Sequence, residues 1–558
     1  MKKLVSLLIL SMFIVSLGAV SYQKTFLKDS IEWKAAEAIA IVGGVNPPTA
    51  VNPATGGEIL KAIELVDYDA LSENEKAFYD AAASSLAFDA MINGDNVGLT
   101  PFVTLAPEVY THKNVVEKER YADWLFPVRD RYNGFEFGTE IDYAGTFYGI
   151  VEYLMLNPQH DKQYDKSWGT NFDAITTGFH TQHEGTLLAG ALIGNDWMNF
   201  SVQRSRQSLG YGKTGNLTLG DNFSRQDFMR LHTFSDIFDY TMNISLFSNM
   251  DSNNETEDFN FNGMHNIVSI HRFDVKPAKN VTLTMNEGII AYMDSTLDMR
   301  LLNPFLFHHG FNNYMEGIEV TPGNRDEANN ILSLEAGWTV MPHLRVRGEF
   351  IFDQIQIGAE TTTSHARPNA NGLLVGADTS WIFDDMFLTA YAEYASTSPF
   401  LYLNYKTREN GTKLEPNFDY ILGIHDWWDN DEIAYGGYRF GGDAKVFGFG
   451  ASFGKLDSFL VDASFVYSKH GTYGYGYING IKNPVGPEAL ATKKMTGTPE
   501  QIEHRIEFKV DGSYQLTDYL ELSAGFGFVS AKNYKNVPGV KFSDVQFKIG
   551  AAINFVEL

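Results

Sequence analysis

Apolar and polar residues alternate along most of the chain from about residue 129 to the end. The segment LRVRGEFIFDQ, residues 344–354, is an example. Its apolar set is Leu344, Val346, Gly348, Phe350 and Phe352. Its other set is Arg345, Arg347, Glu349, Ile351 and Asp353. A period of two predicts a β-strand with one apolar and one charged face. The segments RIEFKVDGSY, YLELSAGFGFVSA and VQFKIGAAINF repeat the pattern.

The connectors between these segments alternate in length. VKPAKN and VMPH are short, whereas residues 250–263, 359–372 and 468–501 are long and polar. Short turns at one rim and long loops at the other are typical of an outer-membrane barrel, whereas a soluble β-sandwich does not explain them. At roughly 24 residues per strand and connector, we predict an all-β, transmembrane antiparallel β-barrel of about 16–18 strands. Lipid then meets the apolar faces, and Arg345, Arg347, Glu349 and Asp353 line the lumen.

The first 21 residues predict an export signal. Lys2 and Lys3 precede an apolar run from Leu4 to Leu17, and small residues follow up to Ser21. The run is shorter than the ~20 residues of a membrane-spanning helix. We therefore expect a signal peptide, residues 1–21, that is cleaved after Ser21 or close to it.

Residues 22–115 are expected to form a small helical unit. SIEWKAAEAIAIVGG and SENEKAFYDAAASSLAFDAMINGD are rich in Ala and Glu, and Ser72 with Glu75 has the spacing of a capping box. We predict a helical periplasmic segment or plug here and assign the barrel to residues 116–558. The alternative for this stretch is a flexible periplasmic tail.

Composition excludes several classes of function. The chain has no Cys, so disulfides, a lipid-modified Cys and Cys-ligated metals are excluded. A formal net charge of −26 disfavours nucleic acid as a partner. The 41 Phe, 28 Tyr and 50 Gly fit a membrane barrel, because only alternate residues of such a barrel meet lipid.

Residues 195–455 resemble the Wzi-type capsule assembly family of outer-membrane barrels. The matching residues are His271, Arg272, Glu287, Tyr292, Leu302, Asn303, Pro304, Phe305, His308, His309 and Asp353. The resemblance implies a cell-surface barrel that binds or organises capsule-type polysaccharide and has no enzymatic activity. Outer-membrane lipid and the polysaccharide would be its partners, and the oligomeric state stays open.

Three groups of residues are candidates for contact with polysaccharide. Acidic sugars require basic side chains, and sugar rings stack on aromatic faces. The basic candidates are Arg204, Arg206, Arg225 and Arg230. The aromatic candidates are Trp427, Trp428 and Tyr435. The third group, from the resemblance, is His271, Arg272 and Glu287. Each has a structural alternative: a salt-bridge ladder for the first group, an interfacial aromatic girdle for the second, and a polar network inside the barrel for the third.

The sequence does not predict catalytic chemistry, a cofactor or a metal site. HTQHE lacks the HExxH spacing, and a strand places its His180 and His183 on opposite faces. DWWDND lacks the Gly of a calcium loop, and no G-x-S-x-G segment occurs. The alternatives to polysaccharide binding are a channel for small solutes, and an adhesin that uses the loop of residues 468–501.

Overall fold

The computed structural model describes most of the chain from Ser21 onward. The described ranges are residues 21–94, 96–114, 123–127, 130–132, 134–155, 168–170, 185–248, 265–293, 299–308, 319–321, 324–325, 327–354, 369–407, 414–424, 432–472 and 495–556. The expected signal peptide falls almost entirely on residues 1–20, which lie outside these ranges, so it remains a prediction.

Eighteen antiparallel strands form a closed barrel, which confirms the predicted fold class. The strands, numbered along the chain, are Val97–Ala106 with its continuation Glu108–Thr111 (β1), Gly134–Tyr143 (β2), Phe147–Met155 (β3), Gly185–Gly194 (β4), Met198–Ser205 (β5), Gln226–Thr233 (β6), Phe238–Ser248 (β7), His265–Ala278 (β8), Val281–Met293 (β9), Glu327–Met341 (β10), Leu344–Gln354 (β11), Ala370–Phe383 (β12), Met386–Thr397 (β13), Ala444–Lys455 (β14), Phe459–His470 (β15), Glu503–Thr517 (β16), Leu520–Lys532 (β17) and Lys541–Asn554 (β18). β18 closes the barrel on β1, where Ile553 is opposite Leu105 and Ile549 is opposite Val109. Closure pairs the edge strands that an open sheet would leave exposed.

The barrel begins earlier than the sequence suggests. β1 starts at Val97, so residues 97–111 belong to the barrel and not to the helical segment that we assigned to residues 22–115. Pro107 has no backbone N–H and separates the two parts of the strand, which obscures the alternation. The helical part therefore ends before residue 97.

Eight short connectors share one rim of the barrel. They are residues 144–146, 195–197, 234–237, 279–280, 342–343, 384–385, 456–458 and 518–519. Ala144, Asp384 and Asp457 have φ values of 54° to 55°, which fits the tight turns that these lengths require. The longer connectors join strand ends at the opposite rim, as predicted for a membrane barrel.

Three short helices precede the barrel. They are Ile31–Val42 (α1), Gly56–Ile63 (α2) and Glu73–Ser85 (α3). Capping boxes begin α2 at Thr55 and α3 at Ser72. α1 packs against α2, α3 and the lumen side of β11 to β14. Its core includes Phe387, which lies beside the short connector between β12 and β13, so the helices plug the short-turn end.

Short elements complete the described structure. The 3-10 helices are Tyr68–Ala70, Met299–Leu302 and Tyr534–Asn536. The remaining strands are Thr25–Phe26, Val51–Asn52, Ala54–Thr55, Ile92–Asn93, Trp168–Thr170, Ser208–Leu209, Glu319–Thr321, Asn324–Arg325, Leu403–Thr407, Leu414–Asp419, Ile421–Ile424 and Glu432–Tyr435. Among the described residues, no helix is long and apolar enough to cross a membrane.

The barrel presents apolar side chains on its outer surface. Trp338, Phe350 and Phe449 are 48%, 38% and 51% exposed. Arg345, Arg347 and Glu349, which alternate with such residues on β11, are buried on the lumen side. This arrangement inverts that of a soluble sheet and is typical of a barrel whose outer face meets lipid.

Candidate functional site

Two long-rim connectors fold back into the lumen and build an apolar core there. The first runs between β5 and β6 and includes residues 206–225; the second runs between β13 and β14. Tyr402 of the second donates from its hydroxyl to the carbonyl of Leu217, at 2.5 Å, and Tyr420 donates to the carbonyl of Thr218, at 3.0 Å. These side chains pack with apolar lumen residues of the strands, such as Ile351.

Glycines allow the two connectors to touch along their backbones. The amide of Gly220 donates to the carbonyl of Gly436, at 2.8 Å. A Cβ on Gly437 would lie 2.4 Å from the carbonyl oxygen of Leu217. Gly215 has a φ of +138°, which other residues rarely adopt. The connectors are therefore packed as closely as a protein interior.

Charged lumen residues hold the first connector in place. Arg347 donates to Asp378, at 2.8 Å, and also contacts Glu393. Glu393 accepts from the amides of Lys213 and Thr214, at 3.0 and 2.8 Å. The lumen face that the sequence predicted thus contacts protein, whereas the lumen of an open porin contacts water.

Glu349, two residues after Arg347 on the lumen face of β11, also binds the first connector. Its carboxylate accepts from the amide of Leu217, at 2.9 Å, and from the hydroxyl of Thr218, at 2.8 Å. Asp353, near the end of β11, accepts from the amide of Tyr402, at 2.9 Å. The predicted lumen-lining acids therefore bind both connectors.

The helical plug contacts the first connector from the short-turn end of the barrel. Lys213 forms an ion pair with Glu37 of α1, at 2.7 Å. Burial alone would raise the pKa of the Glu37 carboxyl, but Lys213 brings it below its usual value. Lys28 donates to the carbonyl of Gly210, at 2.9 Å. Burial, reinforced by the charge of Lys213, lowers the pKa of Lys28 to about 7.

Arg345 is also part of this assembly. Its side chain is fully buried, and its guanidinium carbon lies 4.2 Å from the ring centre of Tyr211. The nearest carboxylate, that of Asp378, is 3.7 Å away. Burial raises the pKa of Tyr211 to about 12, so the ring stays neutral under the cation.

The four candidate arginines have separate structural surroundings. Arg230 lies in the lumen and donates to the carbonyls of Asn52 and Pro53, at 2.9 and 2.8 Å, which anchors the plug. Arg206 pairs with Asp29 and Asp221, at 2.7 and 2.5 Å. Arg204 is half-exposed beside Asp227, at 2.7 Å, and Arg225 is half-buried. The ion pairs of Arg206 agree with the structural alternative, a salt-bridge ladder inside the barrel. Arg204 and Asp227 lie on the outward faces of β5 and β6, so their pair does not belong to such a ladder.

The aromatic candidates are only partly described. Tyr435 is 4% exposed and belongs to the lumen core, so its ring is not an open platform for a sugar. Trp427 and Trp428 lie outside the described residues. Tyr435 is buried because the connector turns inward, which residue types alone do not reveal.

The third group of candidates divides between the two faces of the barrel wall. Arg272 faces the lumen and pairs with Glu335, at 2.6 Å. His271 and Glu287, which are directly opposite each other on β8 and β9, face outward. A polar network shared by all three inside the barrel is therefore wrong, because adjacent strand residues point to opposite faces. Residues 299–308 cover His271 on the outer wall.

Several residues of this site escaped sequence reasoning. Lys28, Glu37, Asp378 and Glu393 join the plug, the wall and the first connector. Asp378 and Glu393 lie at polar positions of β12 and β13, so alternation could have marked them as lumen residues. Their partners come from distant parts of the chain, and no local pattern indicates those pairings.

Comparison with known proteins reveals a shared fold. No protein-family model and no curated protein matches the sequence. Among solved structures, the chain is similar to Wzi, described as an outer membrane protein involved in group 1 capsule assembly in Escherichia coli and as a carbohydrate-binding β-barrel. The identity is 12%, the TM-score is 0.58, and the match covers 95% of this chain and 99% of Wzi. At this identity the likeness extends to the fold alone.

Two further structural matches have lower TM-scores. Pseudomonas aeruginosa OccK11 is 8% identical, with a TM-score of 0.37 and coverage of 82% of this chain and 95% of OccK11. The outer membrane channel DcaP of Acinetobacter baumannii is 9% identical, with a TM-score of 0.32 and coverage of 84% and 100%.

Proposed function

We propose that this protein is an outer-membrane barrel, closed by its own plug and connectors, that binds or organises capsule-type surface polysaccharide. The main support for a closed barrel is the filled lumen. Leu217, Tyr402, Tyr420 and Tyr438 are each at most 1% exposed at its centre. A porin lumen is polar and filled with water, so a packed apolar core is unsuited to solute passage.

The polysaccharide part of the proposal has two further supports. The sequence resembles the capsule assembly family in the motifs of residues 269–309, and the fold is similar to that of a carbohydrate-binding barrel. Binding would use the long-loop rim, because the plug occupies the other end. Trp427 and Trp428 belong to the segment between β13 and β14 and are the aromatic candidates that remain.

Glycan-array binding by the full chain, purified in detergent, tests the ligand. We expect binding to polysaccharide of the capsule type. Trp427→Ala combined with Trp428→Ala should weaken it at least about tenfold, because stacking on aromatic rings contributes to sugar affinity. The matched control is Trp197→Ala: Trp197 is 56% exposed in a short connector at the opposite rim, and its loss should leave binding unchanged.

Planar-bilayer conductance on the same sample tests the alternative. A closed barrel should give no steady current, and the alternative, a channel for small solutes, should give one. Steady conductance without glycan binding would reject the proposal and favour the channel.

A further inference from the structure

A short segment between β9 and β10 crosses the outer wall of the barrel. We call residues Met299–His308 the strap. Leu301 of the strap is fully buried against Ile244, Ile267 and Ile289, which point outward from β7, β8 and β9. The hydroxyl of Tyr240, also on the outer wall, donates to the carbonyl of Pro304, at 2.9 Å. The strap is therefore docked on a surface that lipid would otherwise cover.

Three potential metal ligands meet beneath the strap. His271 on β8 and Glu287 on β9 are opposite each other, and His308 lies at the end of the strap. One ligand atom from each residue lies within 4.8 Å of the other two. The centres of the two imidazole rings are 4.3 Å apart. The cluster thus joins two strands of the wall to the strap.

Two imidazole nitrogens in this cluster lack a hydrogen-bond partner among the described residues. They are Nε2 of His271 and Nδ1 of His308, whose side chains are 1% and 0% exposed. Nε2 of His308 lies 3.2 Å from the hydroxyl of Ser269. If Nε2 donates to that hydroxyl, Nδ1 carries a lone pair and is available to bind a metal. Leaving such groups buried without a partner is unfavourable.

The cluster supplies a mixed set of donor atoms. Glu287 is on the outward face of β9, between Met285 and Ile289, and adds a carboxylate to the two imidazoles. Two imidazoles and one carboxylate are also a donor set that Zn²⁺ accepts.

We propose that His271, Glu287 and His308 bind one divalent transition-metal ion of the zinc type, which fastens the strap to the barrel wall. Ligand bonds of about 2.0–2.1 Å place the ligand atoms of a tetrahedral site roughly 3.3 Å apart. The three side chains reach this spacing from within 4.8 Å by small rotations, because the strap and the strands already hold them together. The ion would bind the two imidazole nitrogens that lack a partner among the described residues.

Metal titration of the full chain tests the site. The protein, in detergent, is first stripped with a chelating resin and then titrated with Zn²⁺ by calorimetry and with Co²⁺ by absorption spectroscopy. We expect one equivalent of each ion and the visible bands of Co²⁺ in a four-coordinate nitrogen and oxygen site. His271→Ala, His308→Ala and Glu287→Gln should each weaken binding at least about tenfold.

His504→Ala is the matched control, since His504 lies on β16 beside Tyr467 and should leave the titration unchanged. Heat-modifiable gel mobility verifies that each variant is folded. If an alanine variant fails to fold, Glu287→Gln keeps the shape of the side chain and decides the question. The proposal is overturned if the folded wild type binds no ion, or if the folded variants bind with unchanged affinity.

Discussion

At the residue scale, the lumen charges act as parts of a packed interior. Arg347 is buried between Asp378 and Glu393, and Glu393 in turn accepts from the amides of Lys213 and Thr214 in the first connector. Removing one member of a buried charge group leaves the others uncompensated, and this typically costs about 3–5 kcal/mol. Charged side chains at this position therefore contribute to folding.

This view gives a prediction for Arg347. Arg347→Met should lower the unfolding free energy by about 3–5 kcal/mol, because two buried carboxylates lose their cation. The control is Arg204→Met. The side chains of Arg204 and Asp227 are 43% and 50% exposed, so losing their ion pair should lower the unfolding free energy by only about 0–1 kcal/mol. Urea unfolding in phospholipid vesicles measures both. Equal losses would show that the lumen around Arg347 contains water.

At the element scale, the contact between the plug and the first connector should depend on pH. Lys28, just before α1, donates to Gly210 of the connector, and its pKa is lowered to about 7 mainly by burial. The unfolded chain keeps the ordinary value of 10.5. Between these two values the unfolded state binds more protons, so stability should rise with pH.

We therefore predict that the unfolding free energy of the wild type rises relative to that of Lys28→Met as the pH increases from 7 to 9. Methionine has no proton to lose, so the variant lacks this dependence. Unfolding of both proteins at several pH values gives the difference. Lys76→Met, on the exposed side of α3, should show no such gain. A constant difference between wild type and Lys28→Met would contradict the lowered pKa.

At the scale of the whole molecule, the plug and the two connectors pack against one another inside the barrel. The first connector contacts the plug through the ion pair of Lys213 with Glu37. It contacts the second connector through the hydrogen bond from Gly220 to Gly436. Loss of the plug removes the three helices from the short-turn end. It also removes Glu37 and Lys28, which bind the first connector. The barrel itself should persist, because all eighteen strands begin at or after Val97.

Deletion of residues 22–94 should accordingly produce steady conductance in planar bilayers, whereas the full chain stays closed. The control combines Glu73→Ala with Lys76→Ala, which removes an exposed ion pair of α3 and leaves the lumen intact. A folded deletion variant that remains closed would mean that the connectors seal the lumen without the plug.

Different parts of the fold were accessible from the sequence to different degrees. The alternation in residues 344–354 predicted the inner and outer faces of β11, because side-chain direction in a strand depends only on parity. The capping box at Ser72 likewise predicted the start of α3. Local pattern missed the start of β1 at Val97, where Pro107 divides the strand. The hypothesis of a polar network inside the barrel put His271 and Glu287 on the wrong side of the wall.

By itself, the sequence determined the closed antiparallel barrel, the apolar outer face and the helical character of the N-terminal part. These properties follow from periodicity and capping, which are local. Only the tertiary structure decided what fills the lumen and what covers the outer wall. Arg347 meets Glu393, Lys213 meets Glu37, and His308 meets His271 because distant connectors fold back onto the barrel. The free energy of those contacts comes from burial and charge pairing between segments, and no local pattern encodes such pairs.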